Sequence, residues 1–152
     1  MTFHDQVLQG KYTFALLKPD AYRRGLLGQV LMMAEGYGIR PVALGETTLS
    51  VADVQFLYGH VEEKYPDVWP NMLAFMTSGP SYTLVLKSTC PEADVVQAWR
   101  NLMGYTKSWE AHPTTIRGRF GDQIICHENV VHGSDSRPRA LEEIQHFYGS
   151  LG

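Results

Sequence analysis

The run YTFALLK, Tyr12–Lys18, leaves this chain few choices. Its apolar residues do not alternate with polar ones, so as a strand it is apolar on both faces and belongs at the centre of a sheet. Pro19 stops it, because the proline ring fixes φ and removes a ladder donor. A central strand needs neighbours. Arg40–Leu49 supplies one, and Pro41 confines that strand to an edge. Tyr82–Lys87 reads as a third strand and Val130–Val131 as a short fourth. Helical patterns lie between them. Leu26–Glu35 has apolar residues at 26, 27, 30, 31 and 34, with Gly36 as its stop. Ser50-Val51-Ala52-Asp53 resembles a capping box and opens a helix with Val54, Leu57, Tyr58 and Val61 on one side. Trp69–Met76 reads as a short helix with Pro70 in its first turn, ended by Ser78-Gly79-Pro80. Glu92–Met103 is a helix closed by Gly104. Ser136 caps a last helix, Arg137–Tyr148, with Leu141, Ile144 and Tyr148 inward. The order predicts an α+β sandwich: a mostly antiparallel four-stranded sheet with helices on one face.

The 152 residues suit a single domain, 1–152. An apolar fraction of 44% against 19% charged residues supports a packed core and argues against disorder. No apolar run approaches the roughly 20 residues of a membrane span. The start, MTFHDQVLQGK, has no charged-then-apolar leader pattern. Cys90 and Cys126 form no CxxC, which fits free thiols in a reducing compartment. The expectation is a soluble, cytoplasmic protein. A net charge of −3 argues against broad nucleic-acid binding and leaves room for a local basic pocket for a small anion.

One stretch points to chemistry. In NVVHGSDS, Asn129–Ser136, two β-branched residues run straight into a histidine, and small residues and a carboxylate follow. A nucleophilic histidine must be held still, with one nitrogen free and the other keeping its proton on an acceptor. Val130 and Val131 anchor the strand, and Gly133 has no side chain to keep a ligand away. Glu142 and Glu143 on the next helix can each reach back to His132. Asn129 and His132 are three apart, so an ideal strand would point them to opposite faces; if both serve one site, the strand must bend or end between them. The plain alternative is a core histidine at a strand–helix turn. A zinc-protease reading of His127-Glu128 and His132 fails, because that motif needs histidines four apart on a helix. Neither GxxxxGK[ST] nor GxGxxG occurs. Cations stand at element ends instead: Lys18 where the first strand stops, Arg100 in the last turn of a helix, and Arg117 at the end of a long segment. Each alone reads as a solvated surface charge. Together they suit a polyphosphate, which needs cations converging from several elements. The segment Gly104–Gly118, roughly fifteen residues without a clean period, has the length of a functional loop.

These residues carry a resemblance. TFALLKPDAYRRGLLG (13–28), FMTSGP (75–80), AWRNLMGYT (98–106), TIRGRFG (115–121) and NVVHGSDS (129–136) resemble, in order and over nearly the whole chain, the nucleoside diphosphate kinases. The resemblance implies a ferredoxin-like fold and Mg²⁺-dependent transfer of a γ-phosphoryl group from a nucleoside triphosphate to a diphosphate. By that likeness His132 is the phosphorylated histidine, and Ser134 and Glu143 support it. Lys18, Tyr58, Arg100, Thr106, Arg117 and Asn129 match nucleotide-binding positions. Arg100, Thr106 and Arg117 would hold phosphates, while Lys18 and Asn129 would reach the ribose and the phosphates near it. The metal would arrive with the nucleotide, with no protein ligands of its own. The likeness also implies a homo-oligomer, a dimer-based tetramer or hexamer, with the Gly104–Gly118 loop at the site and at subunit contacts.

The chain departs from the family pattern in places. Between Tyr58 and Phe75 it carries two extra residues (KYPDVWP), where the family usually has a Phe that stacks on the base. Val68 holds that position by simple alignment, with Trp69 or Tyr65 as alternatives. After Thr106 the usual Asn-Pro is Lys107-Ser108, Arg119 replaces a common Asp, and Glu128 stands where Arg is frequent. A nucleotide-binding regulatory or assembly module with little turnover is the competing reading. No matched catalytic position is replaced, which favours the enzyme.

Overall fold

A computed structural model of the chain describes residues 1–149. Its elements run α1 (Phe3–Leu8), β1 (Tyr12–Leu17), α2 (Pro19–Arg23), α3 (Leu27–Gly36), β2 (Ile39–Thr48), α4 (Val51–Lys64), α5 (Trp69–Met76), β3 (Pro80–Ser88), α6 (Val95–Met103), a single 3₁₀ turn (Ser108–Glu110), α7 (Ile116–Phe120), β4 (Val131–Gly133) and α8 (Arg137–Tyr148). The sheet order is β2-β3-β1-β4, antiparallel throughout, with β1 inside as its composition requires. β2 lies at an edge, and its register slips between Pro41 and Ala43, where proline cannot donate to the ladder. This is the α+β, ferredoxin-like arrangement.

The helices do not lie on one face, as the element order suggested. Ala15, Leu17, Leu84 and Leu86 pack with α3 and α6, and the intervening Phe14, Leu16 and Val85 pack with α1, α4, α5 and α8. A strand apolar on both faces needs cover on both, so β1 itself demands two helical layers.

Local chemistry sets most boundaries. Ser50 and Asp53 form a reciprocal capping box at the start of α4. Ser136 caps α8, accepting from the N–H of Arg139. α6 begins later than its apolar pattern suggested, because the Asp94 side chain accepts from Val96 N–H and caps it there. Pro19 stops β1 and also opens α2, where its missing N–H has no ladder or helix partner to lose. Gly36 is not a stop but the last residue of α3; the reversal is made at Gly38, with φ +78°. Among the described residues no helix is long and apolar enough to cross a membrane.

Candidate active site

The turn into β4 sets the histidine. Val130 has φ +75°, and the N–H of Val131 donates to the carbonyl of Asn129 at 2.8 Å, closing a three-residue turn around it. A β-branched residue in that conformation costs about 1–3 kcal/mol. The surroundings hold it there: the Val130 side chain is fully buried, its N–H donates to Asp20 Oδ2 at 3.2 Å, and its carbonyl accepts from Lys18 N–H at 2.8 Å. This is the break that the spacing of Asn129 and His132 requires. It lets both side chains enter one network.

Gly133 does not serve ligand approach. A Cβ there would lie 2.5 Å from Trp99 Cδ1 and 2.8 Å from Met103 Cε, so the glycine is needed to seat α6 on β4. Trp99 Nε1 then donates to the His132 carbonyl at 3.3 Å.

Behind the ring lies a matched cluster. His132 Nε2 is 2.8 Å from Glu143 Oε1, and Glu143 is buried. The Ser134 hydroxyl donates to the same oxygen at 2.8 Å, and Arg139 Nε pairs with Oε2 at 2.9 Å. Because the carboxylate only accepts, Nε2 carries the proton and the Nδ1 lone pair is left free. The Tyr58 hydroxyl, 2.9 Å away, donates to that lone pair. Burial pushes the Tyr58 phenol well above its ordinary pKa, so it remains a neutral donor. Of the two glutamates within reach, Glu143 makes the contact. Glu142 pairs with Arg139 on the surface at 3.0 Å.

In front of the ring stand two buried cations. Lys18 is buried; its Nζ donates to Asn129 Oδ1 at 2.7 Å and to the His127 carbonyl at 3.3 Å, and lies 5.4 Å from the centre of the Tyr58 ring. Asn129 Nδ2 in turn donates to the Thr106 carbonyl at 2.9 Å. Arg117, also buried, donates through Nη1 to the Gly104 carbonyl at 3.1 Å and through Nη2 to the Val131 carbonyl at 2.8 Å; its Nε is buried without a partner. Neither Lys18 nor Arg117 forms an ion pair with a carboxylate of the described residues. Burial, and then the nearby Arg117 charge, pull the Lys18 pKa down to about 7. The expectation that these cations are ordinary surface charges fails for both. Arg100 is different: it is partly exposed and pairs with Asp135 Oδ1 at 2.7 Å.

Lys18, Tyr58, Thr106, Arg117, Asn129, His132, Ser134 and Glu143 thus share one neighbourhood, with Arg100 joined at its rim through Asp135. Val68 stands apart from it, exposed at the start of α5. Tyr65 is also exposed, whereas Trp69 is buried in the core and has no face to offer a base. Gly104–Gly118 folds into the 3₁₀ turn and the start of α7, so Arg117 sits in a short helix capped by Thr115, not at the end of an irregular loop. Arg139 was not foreseen. Its spacing of four from Glu143 on α8 was the available signal.

A buried, oriented imidazole thus stands beside two buried cations that pair with no described carboxylate, on a ferredoxin-like fold. The family model described as nucleoside diphosphate kinase matches residues 11–151. The chain is 39% identical to a nucleoside diphosphate kinase of Desulfovibrio desulfuricans, over 91% of this chain and 94% of that protein. It is 40% identical to one of Citrifermentans bemidjiense, over 91% and 96%. The apo crystal structure of nucleoside diphosphate kinase from Encephalitozoon cuniculi superposes with a TM-score of 0.83 at 26% identity, covering 93% of this chain and 92% of that one. The crystal structure of the Aquifex aeolicus nucleoside diphosphate kinase gives 0.78 at 29%, covering 93% and 96%. The chain belongs to the nucleoside diphosphate kinase family.

Proposed function

We propose that this chain moves the γ-phosphoryl group of a nucleoside triphosphate to a nucleoside diphosphate in two half-reactions through phosphohistidine at His132. The observation that carries the reading is the pair of contacts on the His132 ring, which leaves Nδ1 as the nucleophile. Nδ1 bonds to the γ-phosphorus as the bond from phosphorus to the β-phosphate oxygen breaks, and the first diphosphate leaves with that electron pair. Nε2 keeps its proton, so the phosphorylated ring becomes cationic against the Glu143 carboxylate. That attraction is stronger after transfer than before it, which is the form catalytic stabilisation must take. A second diphosphate then takes the group, and the ring returns to neutral. Tyr58 must release Nδ1 before phosphorus can approach.

Lys18 and Arg117 supply positive charge where the transferred group carries most negative charge. Arg117 Nε, buried and unpartnered, is a donor that a phosphate oxygen would satisfy. Thr106 and Arg100 would complete the phosphate contacts at the rim, and Asn129 with Lys18 would reach the ribose. The exposed Val68 would meet the base, with Tyr65 as the alternative wall. Among the described residues no cluster of three or more His, Cys, Asp or Glu could hold a metal ion. Mg²⁺ would be held by the nucleotide's own phosphates and enter as part of the substrate, neutralising their charge. The outer edge of β2 exposes Val42 and Leu44, which suits pairing with a second copy in a dimer-based tetramer or hexamer. A cytoplasmic location fits access to nucleotides.

The test is a two-step label transfer. The protein is incubated with Mg²⁺ and γ-labelled ATP, freed of nucleotide, and then given an unlabelled diphosphate such as dTDP. An acid-labile, base-stable label that passes to dTDP and is lost in His132→Ala is expected. Nucleotide binding without any label would leave a binding module. A His132→Ala protein with near-normal turnover would sink the mechanism.

A further inference from the structure

We infer that Arg139 is a positioning residue that orients His132 from both sides of its ring. The inference rests on the phosphohistidine reading. At the Nε2 side, Arg139 Nε holds Glu143 Oε2 at 2.9 Å, while Oε1 is shared by His132 and Ser134. A carboxylate this deeply buried requires paired charge and hydrogen bonds on both oxygens. Without Arg139 no described side chain would meet Oε2, and the carboxylate would turn to divide its remaining donors between two oxygens. Oε1 would then leave Nε2–H.

At the Nδ1 side, Arg139 Nη2 donates to the Phe56 carbonyl, and the guanidinium lies 4.3 Å from the centre of the Phe56 ring. Tyr58 is two residues further along α4, at a break where its backbone leaves the helical region (φ −133°, ψ 20°). Helix carbonyls next to a break lose regular partners and need other donors. Phe56 is also stacked on His146, with 4.1 Å between ring centroids, and His146 is tied to Asp53 at 2.7 Å. One guanidinium therefore fixes the carboxylate that holds Nε2 and the helix segment that delivers the Tyr58 hydroxyl to Nδ1. The plainer role is a surface pair with Glu142, and exposed pairs of that kind contribute little.

The experiment compares the full-length wild type with Arg139→Gln, Arg139→Lys and Glu142→Gln. Three quantities are read: the single-turnover rate of phosphohistidine formation, the Kd for ADP, and the His132 tautomer from ¹⁵N NMR. Partners one bond removed from a reacting group typically matter by about 10–100-fold, and a rate loss of that order is expected for Arg139→Gln. Its ADP affinity should stay within about twofold, and the tautomer with Nδ1 free should lose its dominance. Arg139→Lys should recover part of the rate, because an ammonium can meet Oε2 but cannot also span to Phe56. Glu142→Gln should match the wild type. If Arg139→Gln does not fold, Arg139→Lys decides by the same readouts: a several-fold slower step and a mixed tautomer are expected. Wild-type rate and tautomer in the decisive variant, or rate and ADP affinity lost in equal measure, would overturn the role. A wild type that forms no phosphohistidine would instead sink the reading beneath it, and the tautomer alone would still judge Arg139.

Discussion

The two sides of His132 follow opposite electrostatic rules. Behind the ring every charge meets its complement: Glu143 takes the imidazole N–H, the Ser134 hydroxyl and Arg139. In front of it Lys18 and Arg117 are buried with carbonyls and an amide for company and no described carboxylate in an ion pair with them. The first arrangement is stable as it stands. The second is costly until an anion arrives, because burying like charges together opposes folding. A polyanion drawn in there, as proposed, would relieve that cost, while the matched side would hold His132 in place.

The largest test of this contrast is Glu143→Ala, which strips two buried donors, His132 and Ser134, of their acceptor and the half-buried Arg139 of its ion pair. It should cost about 3–5 kcal/mol in urea unfolding. A loss under about 1 kcal/mol would show that the rear cluster is not the matched side. Arg117→Ala attacks the other side and should lower kcat/KM by about 10²–10³-fold. A drop of less than tenfold would mean that this cation does not face the phosphates.

Lys18 gives the pH test. Its ordinary pKa is 10.5, and the folded, ligand-free protein holds it at about 7. Between those values the unfolded chain binds a proton that the folded chain does not. Stability from this group therefore falls as pH drops from about 10.5 to about 7 and changes little below. Lys18→Met should remove that slope, making the ligand-free variant more stable relative to wild type at pH 7 than at pH 10. An arriving phosphate favours the ammonium, so ADP binding near pH 8 should take up protons, seen by calorimetry in buffers of different ionisation enthalpy. Equal enthalpies across buffers would break the contrast at its cationic side. The smallest effect is expected at the rim. Arg100→Ala removes a partly exposed pair with Asp135 and should shift unfolding by less than about 1 kcal/mol.

The legible parts of the sequence were those governed by local chemistry. α5 and α8 begin and end where proline, serine and the apolar period place them, and the Asn129–His132 spacing required the break that Val130 makes. The rest depended on contacts across the fold. Pro19 reads as a stop, yet a residue without an N–H also starts a helix well. Gly133 reads in sequence as part of the surroundings of His132, but its constraint comes from Trp99 on another element. Arg139 has Glu142 and Glu143 as partners on its own helix, and only the approach of α8 to α4 adds the Phe56 carbonyl. The separation of the sheet into two covered faces was already present in YTFALLK, and the element order obscured it.

Trp99 seated against Gly133 also bears on how this sequence can drift. Gly133, the residue after His132, is constrained by a tryptophan one position before Arg100. In a selection from libraries randomised at position 133, larger residues should survive only alongside a smaller side chain at 99, and each such pair would shift the helix carrying Arg100. Site and scaffold would have to mutate together, which confines neutral change around NVVHGSDS to a narrow corridor.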